Sequence, residues 1–352
     1  MSLKTGLCLL GLLGELTGTA SADDWNVTTQ GAMFYTDDAA LFSATRRLTL
    51  DGDPTQPALD NRLTGQGADG VFEPLARVSR SYRSAYGNST LSAQGQAFLY
   101  FNETRYNQGS LLLEARQDFS PKTALLLRYF LVPNMYLGEN IVRVPGMAEG
   151  EAAHHCATHS EPDEGSDLQL ASERLTSQLG SIRVEQAVAD NLTLRLLGRF
   201  GTRRYTEKFA QRDLNLWTFG PHLEWRFAEI AKLTVGYHFE RGTAEGGSSP
   251  ELADDVSYNN NYASTELEIE LPHELSLISA VHFERNDWNS AIVGDERFGA
   301  FETVWQGEAL LVYRATESIR LFGGVQHSSR SENVSSNSIL NTNVALGIKT
   351  TF

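Results

Sequence analysis

The densest concentration of reactive side chains is AEGEAAHHCATHSEPDE, residues 148–164. His154, His155, Cys156, His159, Asp163 and Glu164 fall within eleven residues, a set of thiolate, imidazole and carboxylate donors that could hold zinc or copper. No periodic element fixes their geometry, and a solvated acidic loop has the same composition. The C-x-x-C-H spacing of covalent haem attachment is absent, and no cofactor is expected. Four further histidines, His222, His238, His282 and His327, and the acids Asp254, Asp255 and Asp287 could supply a hydrolytic centre. No G-x-S-x-G elbow accompanies them. The most ordered charges lie on alternate positions: Glu266, Glu268 and Glu270 in one segment, Arg195, Arg199 and Arg203 in another, with Glu308 in a third.

Alternation is the property of the whole chain after residue 22. NLTLRLLGRFGTRRY puts Leu192, Leu194, Leu196 and Phe200 on one face and Thr193, Arg195, Arg199 and Arg203 on the other. ASTELEIELP sets Leu267, Ile269 and Leu271 against the three glutamates. Period two is the signature of a strand with one apolar and one polar face. Fourteen such segments can be marked, near 25–35, 71–86, 89–101, 109–119, 122–132, 172–188, 191–204, 213–228, 231–242, 258–271, 274–288, 299–314, 317–328 and 338–352. The early ones alternate poorly, so the count runs from 12 to 16. Tight turns at Gly87-Asn88, Ser120-Pro121, Asp190-Asn191, Glu229-Ile230, Pro272-His273 and Thr316-Glu317 alternate with longer links. The longest links are 36–70 and 133–171.

A soluble β-sandwich and a membrane barrel both alternate. Soluble strands average about five to six residues, whereas tilted membrane strands need about nine to eleven; these segments run ten to seventeen. Short turns alternating with long loops are the rhythm of transmembrane barrels. Glutamates and arginines in mid-strand are costly in a dry core and at home in a wet lumen. The expected fold is all-β: a transmembrane antiparallel up-and-down barrel of about 14 strands, with both termini periplasmic.

The N-terminus supports export. Lys4, the apolar run Leu7–Leu13 and the Ala20-Ser21-Ala22 site read as a secretory signal peptide over residues 1–22, leaving a single barrel domain over 23–352. No later stretch approaches eighteen consecutive apolar residues. Formal net charge is −15, which argues against nucleic acid as a partner. Cys8 lies in the leader, so Cys156 is left without a cysteine to pair with, and stability must come from packing and hydrogen bonds.

The last ten residues, NVALGIKTTF, place Val344, Leu346, Ile348, Thr350 and Phe352 on one face, with Phe352 where an aromatic girdle would sit. Gly347 followed by alternation to a terminal Phe352 resembles the C-terminal signal read by the barrel-assembly machinery of Gram-negative outer membranes. Segments such as LDGDPTQPALDNRLTGQGADGVFEP, RRYTEKFAQRDLNLWTFGPHLEWRF and ELADDVSYNNNYASTELEIEL resemble a family of uncharacterised porin-like bacterial outer-membrane barrels. A weaker architectural likeness is to the barrel half of surface lipoprotein assembly modifiers, whose helical repeat domain is absent here. The resemblance implies a porin-like architecture and carries over no catalytic residue.

The expected partners are outer-membrane lipids, the barrel-assembly machinery during insertion, and small solutes or ions. Arg195, Arg199, Arg203, Glu266, Glu268, Glu270 and Glu308 are expected to line the lumen, the separated signs setting a transverse field. The expected function is a porin-like channel for passive passage of small polar or ionic solutes. The alternatives are a non-conducting display or assembly barrel and, less favoured, an outer-membrane hydrolase.

Overall fold

The computed structural model describes residues 25–45, 67–143, 168–246, 254–333 and 338–352. Fourteen strands follow one another along the chain: β1 Trp25–Thr36, β2 Asp69–Ser84, β3 Gly87–Tyr100, β4 Gln108–Ser120, β5 Thr123–Arg143, β6 Leu168–Ala189 and β7 Leu192–Tyr205. The second half comprises β8 Leu214–Ala228, β9 Ala231–Ala244, β10 Tyr258–Leu271, β11 Leu275–Trp288, β12 Phe301–Arg314, β13 Ile319–Glu332 and β14 Ile339–Thr351. Each strand pairs with its sequence neighbours, and β1 pairs antiparallel with β14, which closes the barrel. The chain end completes the seam: Val27 and Phe352 exchange backbone hydrogen bonds of 3.0 and 2.8 Å. Closure leaves no unpaired sheet edge.

The exterior is apolar. Leu91, Leu111, Leu127, Ile182, Leu196, Leu223, Val281, Val325 and Leu346 are exposed around the middle of the wall. Aromatic side chains flank them, with Trp25, Tyr82, Trp225, Tyr313 and Phe352 toward the short-turn end and Tyr35, Phe200, Trp217 and Trp305 toward the other. An apolar band between aromatic girdles is the outer surface of a transmembrane barrel of the outer-membrane type.

Two local features depart from the sequence reading. The link expected over 133–171 is shorter, because β5 and β6 go on pairing from Met135↔Leu175 to Arg143↔Leu168. Register shifts after Val132 and after Tyr136 interrupt the alternation there, and Asn134 adopts φ 49°. Bulges of this kind hide a strand from a period-two count. The first hairpin turns at Ala85-Tyr86, not Gly87-Asn88, since Ser84 already pairs with Gly87. Gly87 sits at φ 111°, and a Cβ there would overlap the Asp118 carbonyl oxygen, so its glycine serves close approach to β4.

Inside, the two halves differ. Toward the long connections the inward side chains are almost all buried, whereas toward the short turns they are partly exposed. A short helix, α1 (Ala39–Thr45), contributes to the filling. Asp38 caps it, accepting from the Ala40 backbone N–H at 3.0 Å. Its Phe42 is fully buried against Phe34, Phe98 and Tyr100.

Candidate functional site: the barrel interior

Three layers of polar side chains stack along the interior. The first lies at the long-connection end and ties three loops to the wall. Arg212, from the 3-10 turn Glu207–Arg212, donates from Nη1 to both oxygens of Glu173 on β6, at 2.9 and 2.8 Å. Its Nε donates to Asp254 Oδ2 at 2.8 Å, and Nη2 pairs with the same carboxylate. Arg297, from the connection between β11 and β12, lies 3.6 Å from Asp254 and from Asp295. Asp295 in turn accepts the Asp255 backbone N–H at 2.9 Å. These groups are buried or nearly so. Burial works against the Arg212 charge, but Glu173 and Asp254 outweigh it and hold the guanidinium above its ordinary range. Losing either side of such a network would strand a buried charge.

The second layer crosses four strands at mid-height. His222 on β8 stacks on His238 of β9 with centroids 4.6 Å apart. His238 packs on Tyr262 of β10 at 5.6 Å, and Tyr262 stacks on His282 of β11 at 6.0 Å. Tyr262 Oη and His282 Nδ1 are hydrogen-bonded at 2.7 Å. Gly220 and Gly236 make room for the ladder: a Cβ on Gly220 would strike the His238 ring, and one on Gly236 would lie 3.2 Å from His222 Cδ2. Nearby, Arg203 donates to Tyr258 Oη at 3.2 Å, and Tyr258 donates to Glu240 at 2.6 Å.

The third layer, at the short-turn end, is open. One cavity of about 480 Å³ is lined by Glu268, Glu270, Glu274, His273, Arg314 and Arg320. A second, of about 300 Å³, lies against β11 to β14 and β1. His273 and Glu274, both at positive φ (63° and 61°), form the turn at the rim. Glu274 holds Arg314 through Nε and Nη2.

The charged residues singled out in the sequence divide among these layers. Arg195 lies between Glu185, at 3.4 Å, and Glu224, at 2.7 Å. Arg203 is buried near the long-connection end of β7, opposite Leu214, and Arg199 is half-buried two pleats below it. Glu268 pairs with Lys232 at 2.5 Å, Glu270 is exposed at the rim, and Glu266 is half-buried above Glu268. Glu308 accepts from Gln326 Nε2 at 3.2 Å and borders the smaller cavity. Three of the four strand histidines meet in the ladder; His327 is exposed and bonded to Thr342 at 3.0 Å. Gly347 lies against the Phe322 ring, and Phe352 is exposed at the seam. His154, His155, Cys156 and His159 lie outside the described residues. The Arg212–Glu173–Asp254–Arg297 network carried no signal in the sequence, because its members come from three loops and a strand.

No protein-family model matches the chain, and no curated protein matches it. Solved structures similar to it include the outer-membrane channel DcaP of Acinetobacter baumannii, at 10% identity and TM-score 0.48, with 96% of this chain and 100% of that one covered. The CymD monoaromatic hydrocarbon channel is similar at 7% identity and TM-score 0.49, with 94% and 88% covered. An anion-selective porin from Comamonas acidovorans is similar at 10% identity and TM-score 0.40, with 93% and 98% covered. Identities this low carry no residue roles across.

Proposed function

We propose that the barrel is a porin-like channel of a Gram-negative outer membrane, passing small polar or ionic solutes, with its short-turn end and both termini toward the periplasm. The observation that carries this reading is the inward face itself. Guanidinium and carboxylate groups occur on it from the open cavities at one end to the buried network at the other. Several of its buried polar atoms, including both side-chain atoms of Gln306 and Nε2 of His282, find no partner among the described residues. A barrel interior meant only as scaffold would be cheaper in apolar side chains. Fourteen strands fall between the eight whose interior side chains fill and the sixteen to eighteen that leave a wide aqueous channel. The narrow part is assigned to the Arg212 network.

The second reading, a non-conducting barrel that displays its loops, is favoured by that same network and by α1, since both fill the long-connection half. Proteoliposome swelling separates them. Arabinose-sized solutes should enter at a rate that falls steeply with solute size. Liposomes that respond to none of a size series would favour the display reading.

A further inference from the structure

The smaller cavity has an asymmetric lining. At its short-turn edge stand two cations, Arg320 on β13 and Lys349 on β14, which are directly opposed across the strand pair. Neither has a carboxylate or hydrogen-bond partner among the described residues, whereas the adjacent Arg314 is held by Glu274. Like charges directly opposite each other destabilise a strand pair, so the wall keeps an uncompensated pair of cations facing a cavity. The next two rows inward are apolar: Val312 opposite Phe322, then Leu310 between Ile278 and Gly324. Phe322 is seated against β14 because its cross-strand partner is Gly347, where a Cβ would come within 2.7 Å of three ring carbons. Glu308, already engaged by Gln326, closes the far end. Glu308 lies six residue steps from Arg314 along β12, about 20 Å along the wall.

We propose that this cavity binds a small organic carboxylate with an apolar body, an aromatic or short-chain acid. Its carboxylate sits between the Arg320 guanidinium and the Lys349 ammonium, and its apolar part lies on Phe322, Leu310 and Ile278. Arginine and lysine together suit a carboxylate, one as a planar fork and the other as a point charge. A bare inorganic anion would leave the apolar rows uncovered, and a neutral hydrocarbon would leave the cations unanswered. The volume, about 300 Å³, is at the small end of ligand pockets, which span about 300–1,000 Å³, and suits a single ring. Of the acids of the neighbouring cavity, Glu268 is paired with Lys232 and Glu274 with Arg314, and Glu270, exposed at the rim, forms no ion pair with either cation among the described residues. Only the role of the acid as a transported solute rests on the channel reading; its binding does not.

The test is calorimetric titration of the full-length protein in detergent with benzoate, benzamide and acetate as probes. Benzoate should bind saturably, with benzamide (same ring, no charge) and acetate (same charge, no ring) at least about tenfold weaker. Arg320→Gln with Lys349→Gln should weaken benzoate by a similar factor, and Arg320→Lys should retain most of it. Absence of saturable benzoate binding, equal binding of benzamide, or a double variant that binds as well as the wild type would overturn the site. If the double variant does not fold, the three-probe comparison on the wild type decides alone. Benzoate binding by a barrel that conducts nothing would leave the site standing and remove the channel. Conductance by a barrel that binds no benzoate would do the reverse.

Discussion

Nη1 of Arg212 lies 2.8 Å from Oε2 of Glu173, joining residues 39 apart in the chain, and the other side of the same guanidinium holds Asp254. One buried side chain thus ties the β7–β8 and β9–β10 connections to the wall of β6. Replacing it with alanine would leave Glu173 buried without its cation and Asp254 with only Arg297 at 3.6 Å, a loss of about 3–5 kcal/mol in buried pairs of this kind. The strand ladder does not depend on it. Arg212→Ala is therefore expected to open the loops while the barrel stays folded. Limited proteolysis should cut near residues 206–212 much faster in the variant, with unchanged heat-modifiability on gels.

The pH behaviour of this tie has a definite sign. The folded-state pKa of Arg212 is raised above the ordinary guanidinium range. Its contribution is then fully present below that ordinary range and is lost only as pH climbs through the raised value. Protection of the loops against proteolysis should accordingly stay flat from about pH 7 to about pH 10. A loss of protection within that window would point to a different group holding the loops.

Gly347 and Phe322 give a packing test. Gly347→Ala places a methyl against the ring and is expected to cost about 1–3 kcal/mol, as overpacking does. Phe322→Ala in the same chain should recover most of that loss, because the three nearest atoms that the methyl would meet all belong to that ring. Urea unfolding in detergent of the two single variants and the double variant gives the coupling directly.

The strands were legible because the wall imposes period two wherever lipid lies on one side and polar groups on the other. Segments such as β7, β9 and β10 keep the alternation over most of their length, and their ends fall within two residues of the expected positions. Legibility failed where local geometry breaks the period, as at Asn134 and Gly138 in β5, both at positive φ beside register shifts. It failed also where contacts join distant loops. Arg212, Asp254 and Arg297 carry no spacing that marks them as partners. The histidines of the mid-height ladder were visible one by one, but their stacking depends on the registers of β8 to β11, which no single strand records.

The ladder makes its own prediction. Tyr262→Phe removes the hydroxyl bonded to His282 and leaves a buried ring nitrogen unpaired. The expected cost is about 1–3 kcal/mol. His282→Phe in the same background should cost less than the sum of the two single changes, since both lose the same bond.

The glutamate set offers a selectivity test. Changing Glu266, Glu268 and Glu270 together to glutamine removes three inward negative charges and leaves Lys232 without its 2.5 Å partner. The reversal potential in a salt gradient is expected to move toward anion preference, with the barrel still folded. A triple variant that fails to fold, beside a wild type that shows no selectivity, would make these glutamates structural.

The central claim, that solutes cross the interior and that the Arg212 network is its narrow part, is tested most directly by single-channel recording in planar bilayers. Wild-type protein should give discrete conductance steps, and Arg212→Ala should give larger ones. A barrel that is ion-tight at every voltage in both forms would contradict the account.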